Sequence, residues 1–311
     1  TRSTGRLVDR IAPGGRRRAA RSLSGDGLVP SLPPRCALSR GAVHMPGSIP
    51  FVSLTAGEIH LWYCFHDESG SPDLVDACRA LLAPDELAQQ QRFHFARDRH
   101  RYLLTRALVR SVLSRYAAIS PEGWRFQAGP FGRPRIEPAQ GALVPGIDFN
   151  LSHAGGVIVM ALARDLAVGV DVEAVAPRAP MEVAAEFFSP GELAALHALP
   201  PALQTDRFFA LWTLKESYMK ARGMGLQIPL DAISFALDDG DGIAFALAAG
   251  TDDTATRWRF WQMRPTPGHV AAVCAAPRDA APLRLVCREA MPLRQERLLD
   301  LPVIRRSSAQ V

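Results

Sequence analysis

Four charged residues sit where their types and spacing can do chemistry. Asp171 and Glu173 lie two apart in Val168-Gly169-Val170-Asp171-Val172-Glu173. Side chains alternate across a strand, so the two carboxylates share one face with Gly169, and Val170 and Val172 share the other. Glu216 and Lys220 lie four apart in LWTLKESYMKARG, from Leu211 to Gly223. At about 100° per residue they fall with Trp212 on one side of a helix. Taken singly, the acids suit a solvent-facing strand, and the Glu-Lys pair suits a helix salt bridge worth about 0.2–0.5 kcal/mol. Taken together they suit a hard cation. Two like charges ~4 Å apart repel by roughly 4 kcal/mol at an effective dielectric near 20. A helix ion pair does not offset that, whereas Mg²⁺ does, because it takes carboxylate oxygens, waters and substrate phosphates. Convergence of Asp171, Glu173 and Glu216 therefore implies a metal, and separation implies ordinary surface charge.

Lys215 and Lys220 are the only two lysines among 36 basic residues. Lys215 points about 100° away from Glu216. It lies in the apolar stripe Phe208, Leu211, Tyr218 and Met219, where it either snorkels along that stripe or reaches a ligand. Ser152 and His153 adjoin Gly155-Gly156 and are expected at a hairpin turn. No GxSxG elbow is present, so nucleophilic catalysis is disfavoured. A phosphate-binding turn and a plain turn both remain open. Gly132-Arg133-Pro134 is a rigid turn before a basic run. Arg92, Arg97, Arg99, His100, Arg101 and Arg106 form a cluster that is either a solvated helix face or an anion site.

The elements that position these residues follow from periodicity and punctuation. Glu58 to Phe65 alternates as a strand, and Pro84-Asp85-Glu86 opens a helix. A longer helix is expected over Asp98 to Tyr116, with Leu104, Leu108, Val112 and Tyr116 on one stripe. Pro130 to Pro138 reads as a loop or edge segment. Ile147 to Leu151 and Val157 to Ala163 read as a hairpin, and Leu166 to Glu173 as a strand. Ser189-Pro190-Gly191-Glu192 is a capping box that starts a helix. The helix with Glu216 is expected from about Thr205 to Arg222, ended by Gly223 and Gly225. Four more strands are expected at Ile233–Leu237, Ile243–Leu247, Trp258–Met263 and Val270–Ala275, and residues 294–311 as a charged tail. Hairpins without strict alternation favour an α+β fold. A rough echo of strand, helix and hairpin in both halves suggests two similar subdomains, at residues 51–165 and 166–293.

Composition narrows the class. The chain has 311 residues, and no apolar run is longer than the strand-sized Val157 to Ala163, so no membrane span is expected. The five cysteines Cys36, Cys64, Cys78, Cys274 and Cys287 form no CxxC pair, which fits free thiols in a reducing cytoplasm. Residues 1–44 carry nine Arg against Asp9 and Asp26, or +7, so the net charge of +5 leaves −2 for the rest of the chain. That stretch has no aromatic residue for base stacking, so nucleic acid is not the expected partner. Residues 1–50 are expected to be disordered. They are either an acid-poor targeting-like extension or sequence ahead of a natural start at Met45.

Together these segments resemble one family, the long, pseudo-dimeric 4′-phosphopantetheinyl transferases that activate peptidyl and acyl carrier proteins. The matching pieces are Arg92 to Arg110 (RF…HRYLLTRALVR), Phe131 to Ile136 (FGRPRI), Phe149 to Gly156 (FNLSHAGG), Gly169 to Glu173 (GVDVE), Phe187 to Glu192 (FFSPGE) and Leu211 to Leu226. They cover roughly residues 57–293. The resemblance implies two similar α+β subdomains in one monomeric chain, with coenzyme A in the cleft between them. It implies Asp171, Glu173 and Glu216 as Mg²⁺ ligands and Lys220 on the diphosphate. It places His153 and Arg101 near the 3′-phosphate, and Gly132, Arg133, Pro134 and Ser152 around the adenine. The segment after Glu173, through Phe187-Phe188-Ser189, would face the carrier protein. Two departures stand out. The family's GKP turn is Gly132-Arg133-Pro134 here. The turn before Arg92 reads Glu86-Leu87-Ala88-Gln89, without the positive charge that some relatives carry, which shifts the 3′-phosphate onto Arg101, His153 or Arg92.

The implied reaction is Mg²⁺-dependent. A carrier-protein serine attacks the β-phosphate of coenzyme A, 3′,5′-ADP leaves, and either Glu216 or a water on the metal takes the proton. Two other readings share the residues. One is a Mg²⁺-dependent phosphohydrolase acting on coenzyme A-like diphosphates. The other is a non-catalytic carrier-binding protein.

Overall fold

The computed structural model describes residues 51–67, 71–129, 132–224, 229–238, 240–278 and 282–307. Residues 1–50, and with them the expected extension and Cys36, lie outside that set, as do Phe131 and Gly225. The first half holds β1 (Glu58–Phe65), α1 (Pro72–Ala80), α2 (Pro84–Gln91), α3 (Ala96–Leu113), the short strands β2 (Phe126–Ala128) and β3 (Pro134–Ile136), α4 (Pro138–Gly141), β4 (Ile147–Ala154) and β5 (Val157–Arg164). The second holds β6 (Ala167–Ala174), α5 (Met181–Phe187), α6 (Pro190–Ala198), α7 (Pro201–Arg222), β7 (Ile233–Leu237), β8 (Gly242–Leu247), β9 (Arg259–Met263) and β10 (His269–Ala276). Then follow β11 (Arg284–Met291), β12 (Gln295–Leu298) and β13 (Val303–Ser307).

Two sheets result, ordered β12-β11-β1-β5-β4 and β6-β10-β9-β13-β8-β7. The echo between the halves is literal here. In each, a first strand pairs antiparallel with the second strand of a later hairpin, β1 with β5 and β6 with β10. The hairpin partners β4 and β9 then pair with β5 and β10. Ile59, Leu61 and Tyr63 of β1 meet Val168, Val170 and Val172 of β6 in a core between the sheets. The alternate residues Trp62 and Cys64 face α1 and α3. A third core packs α5, α6 and α7 on the second sheet. The fold is α+β with two like halves, as expected.

Several boundaries differ from the sequence reading, each for a local reason. The turn after β4 is only Gly155-Gly156, both at positive φ (44° and 87°), as a two-residue hairpin requires. Ser152 and His153 therefore lie in the ladder, opposite Val159 and Ile158, rather than at the turn. Helix α7 starts at Pro201, not near Thr205, because a proline at the first helical position costs no hydrogen bond. It ends, as expected, at Gly223 in the left-handed region (φ 64°). Helix α3 runs Ala96–Leu113 rather than Asp98–Tyr116.

The residues expected as a charged tail form β12 and β13 instead. Strand β13 sits inside the second sheet, antiparallel to β9 and parallel to β8. Charged side chains are tolerated there because such a sheet can keep one face toward water. Strand β11 returns to the first sheet, parallel to β1, so a division at residue 165/166 separates the helical layers but not the sheets.

Candidate active site

The expected acidic strand and lysine helix meet where the halves join. Strand β6 is the edge of the second sheet, and α7 packs directly against it. Gly169 makes that approach possible. A β-carbon there would stand 2.1 Å from Ser217 O and 2.4 Å from Ala221 N, well inside contact distance. Two residues on, Asp171 meets Lys220, whose Nζ donates to Asp171 Oδ1 at 2.6 Å and to Ser152 Oγ at 2.9 Å. Ser152 Oγ in turn donates to Asp171 Oδ1 at 2.8 Å. The triangle joins both halves, since Ser152 comes from β4. A second tie lies beside it, where Val170 N donates to Asn150 Oδ1 at 2.9 Å.

All three expected carboxylates belong to this cluster. Burial pushes Glu173 well above the usual carboxylate range, and the negative charges of Asp171 and Glu216 push it further. Lys220 and a hydrogen bond from the Trp212 side chain act the other way. Burial pulls Lys220 down, but Asp171, Glu216 and Glu173 outweigh it and hold its ammonium above its ordinary value. Glu216 is fully buried. Either a proton on Glu173 or a further cation relieves like charges held together in this way.

The donor set fits Mg²⁺: it is all oxygen, and Asp171 Oδ2 is buried with no hydrogen-bond partner among the described residues. Among those residues no three His, Cys, Asp or Glu side chains are grouped so that they could together hold a metal ion as they stand. The Lys220 ammonium occupies Asp171 Oδ1, and Mg²⁺ commonly takes one or two carboxylates and completes its shell with water and phosphate.

The other expected residues divide. His153, partly buried on β4, is lowered to about 4, first by burial and then by Arg101 and Lys220, so Arg101 stands within its field. Arg101 itself pairs with Asp98 at 2.7 Å. Arg92 is exposed at the end of α2 and donates to Gln89 at 3.4 Å. Gly132, at φ 80°, and Pro134 flank Arg133. The Arg133 guanidinium is occupied by protein groups, among them Asp148 and the carbonyls of Phe149 and Lys220. The basic cluster does not act as one patch. Arg99 donates to the carbonyls of Phe93 and His94, and Arg106 and Arg110 clasp Glu86. Glu86, where a positive charge was missing, is thus a buried tie between α2 and α3.

Lys215 neither snorkels nor reaches toward the cluster. It is fully buried, paired with Glu192 at 2.7 Å, and donates to Leu230 O at 2.8 Å and Ile233 O at 2.5 Å. Glu192 also closes its capping box through Ser189 N and accepts from Phe235 N. Sequence reasoning saw the box and the lysine but not their union. A capping acid beside a lone lysine on an apolar stripe was the available signal.

Fold and cluster define a two-halved protein with an acidic, lysine-bearing site at the junction, suited to a phosphate-containing ligand. Residues 167–274 match the 4′-phosphopantetheinyl transferase superfamily, and residues 70–164 match the 4′-phosphopantetheinyl transferase N-terminal family. The chain is 34% identical over 200 residues to the 4′-phosphopantetheinyl transferase Sfp of Bacillus subtilis (strain 168), covering 64% of this chain and 84% of Sfp. It is 32% identical over 228 residues to the 4′-phosphopantetheinyl transferase HetI of Nostoc sp., covering 73% of this chain and 91% of HetI. A phosphopantetheinyl transferase of Thraustochytrium sp. is 32% identical over 228 residues, at 67% and 77% coverage. The chain belongs to the 4′-phosphopantetheinyl transferase family.

Proposed function

We propose that this protein transfers the 4′-phosphopantetheine arm of coenzyme A to a serine of an apo carrier protein and releases 3′,5′-ADP. The observation that carries this reading is the buried set Asp171, Glu173, Glu216 and Lys220 at the junction of the halves. Asp171, Glu173 and Glu216 would hold Mg²⁺. When bound, the ion spreads the negative charge of the diphosphate and of the departing 3′,5′-ADP. Lys220 turns from Asp171 to the diphosphate, a compact charge with three protons to donate. The serine oxygen forms a bond to the β-phosphorus. The bond from that phosphorus to the bridging oxygen breaks, and its electron pair leaves with 3′,5′-ADP. The serine proton passes to the Glu216 carboxylate. His153 and Arg101 serve the 3′-phosphate, and the backbone of Gly132 to Pro134 borders the adenine. Arg92, at the rim, attracts the ligand by charge. We further infer a monomer, since one chain supplies both halves of the site, and a cytoplasmic location, which the free Cys64, Cys78, Cys274 and Cys287 fit.

Mass spectrometry of an apo carrier protein, incubated with the enzyme, coenzyme A and Mg²⁺, tests the reading. The carrier gains one phosphopantetheine group. A folded protein that modifies no member of a broad carrier panel sinks it, and coenzyme A cleavage without any carrier points to the hydrolase instead.

A further inference from the structure

The guanidinium of Arg133 touches three segments of chain, β4, β6 and α7. Its Nη2 donates to Asp148 Oδ2 at 2.8 Å and to Phe149 O at 2.8 Å, both on β4. The same nitrogen lies 3.3 Å from Val168 O on β6. Its Nη1 donates to Lys220 O at 3.0 Å, in the last turn of α7. The side chain is 12% exposed. Lys220 O also accepts from Gly223 N at 3.2 Å, so Arg133 is its second donor, and cations are favoured at a helix's C-terminal turn. Arg133 therefore caps α7 from 87 residues away in sequence, and it does so while holding the edge strand of the other half.

We propose that Arg133 is a positioning residue: it clamps the C-terminal turn of α7 to β4 and so sets where the Lys220 ammonium stands. This rests on the reading of Lys220 as the diphosphate contact, and it moves the Arg133 side chain from the adenine to the frame. The geometry explains the arginine in a turn where the family carries lysine. One nitrogen of a planar fork serves α7 and another serves β4, whereas an ammonium presents all its protons from one atom. The Lys220 side chain is tied to Ser152 and Asp171, and its carbonyl to Arg133, so both ends of the residue are referenced to β4.

The test is a cycle of Arg133→Lys, Lys220→Ala and the double variant, read by steady-state kinetics, coenzyme A calorimetry and amide exchange. Arg133→Lys raises KM for coenzyme A roughly tenfold while kcat at saturation changes less than about twofold. Amides in the last turn of α7 exchange faster in the free protein. In the Lys220→Ala background, Arg133→Lys adds no further loss of coenzyme A affinity, because its effect passes through Lys220. Additive losses mean that Arg133 meets the ligand itself, and unchanged α7 exchange means that the clamp carries nothing. Either result overturns the proposal. If Arg133→Lys does not fold, Arg133→Gln serves the same cycle. A wild-type protein that modifies no carrier defeats the proposed function instead, and the exchange measurement still judges the clamp.

Discussion

The two oxygens of Asp171 differ: one takes both an ammonium and a hydroxyl, and the other takes no hydrogen bond among the described residues. Replacing it with alanine removes one proposed metal ligand and relieves repulsion on Glu173. Asp171→Ala is expected to lower turnover by about 100-fold or more while the thermal midpoint shifts little. Wild-type turnover in that variant would rule out the metal assignment.

His153 sets a pH limit. Its folded value of about 4 lies below its ordinary 6.5, so the unfolded chain binds the proton more readily. The stability that His153 contributes is complete above about pH 6.5 and is lost as pH falls toward 4. Denaturant midpoints measured from pH 7 to 4 fall in the wild type, and fall less steeply in His153→Asn. Spacing put Asp171 and Glu173 on one strand face and Glu216 and Lys220 on one helix face, and left open whether the two faces meet. The Ser152 contact to Asp171 was not legible, because it depends on how two distant edge strands meet.

At the scale of the element, α7 is a beam braced on three sides: by Lys215 to α6 and β7, by Arg133 to β4, and by Gly169 to β6. Lys215→Met leaves Glu192 buried without its counterion and is expected to cost about 3–5 kcal/mol, measured as a lower urea midpoint with unchanged slope. Gly169→Ala drives a methyl group into the α7 backbone. It is expected to destabilise the protein and to lower activity together, since α7 must shift away from Asp171. Periodicity revealed the body of α7 and its glycine stop. Its proline start was hidden because Pro200-Pro201 reads equally well as a break, although Pro201 fits the first helical turn. Lys215 looked peripheral because its partners, Glu192, Leu230 and Ile233, become neighbours only after α6 and β7 have docked.

At the scale of the molecule, the two halves share their last strands. Truncation after residue 298 removes β13 from between β9 and β8, leaving β7-β8 detached from the rest of the second sheet. Such a chain is expected to lose cooperative unfolding of the second half, seen as a split or missing thermal transition, whereas a dispensable tail would leave the transition unchanged. Local pattern made β1 and β4 to β10 readable; β3 falls in the stretch read as a loop or edge segment, and β2 and β11 went unread. Nothing local marks β12 and β13, whose charged residues find their partners only across the assembled sheet.

The parallel pairing of β1 with β11 also orders events during synthesis. Glu58 and Arg284 stand side by side though 226 residues separate them. Every residue of the proposed site, through Lys220, leaves the ribosome before β11 exists. Until then β1 offers an unpaired edge, the kind of edge that recruits strands from neighbouring chains. The nascent protein therefore passes through a stage at which its chemistry is encoded in full while its first sheet stands open.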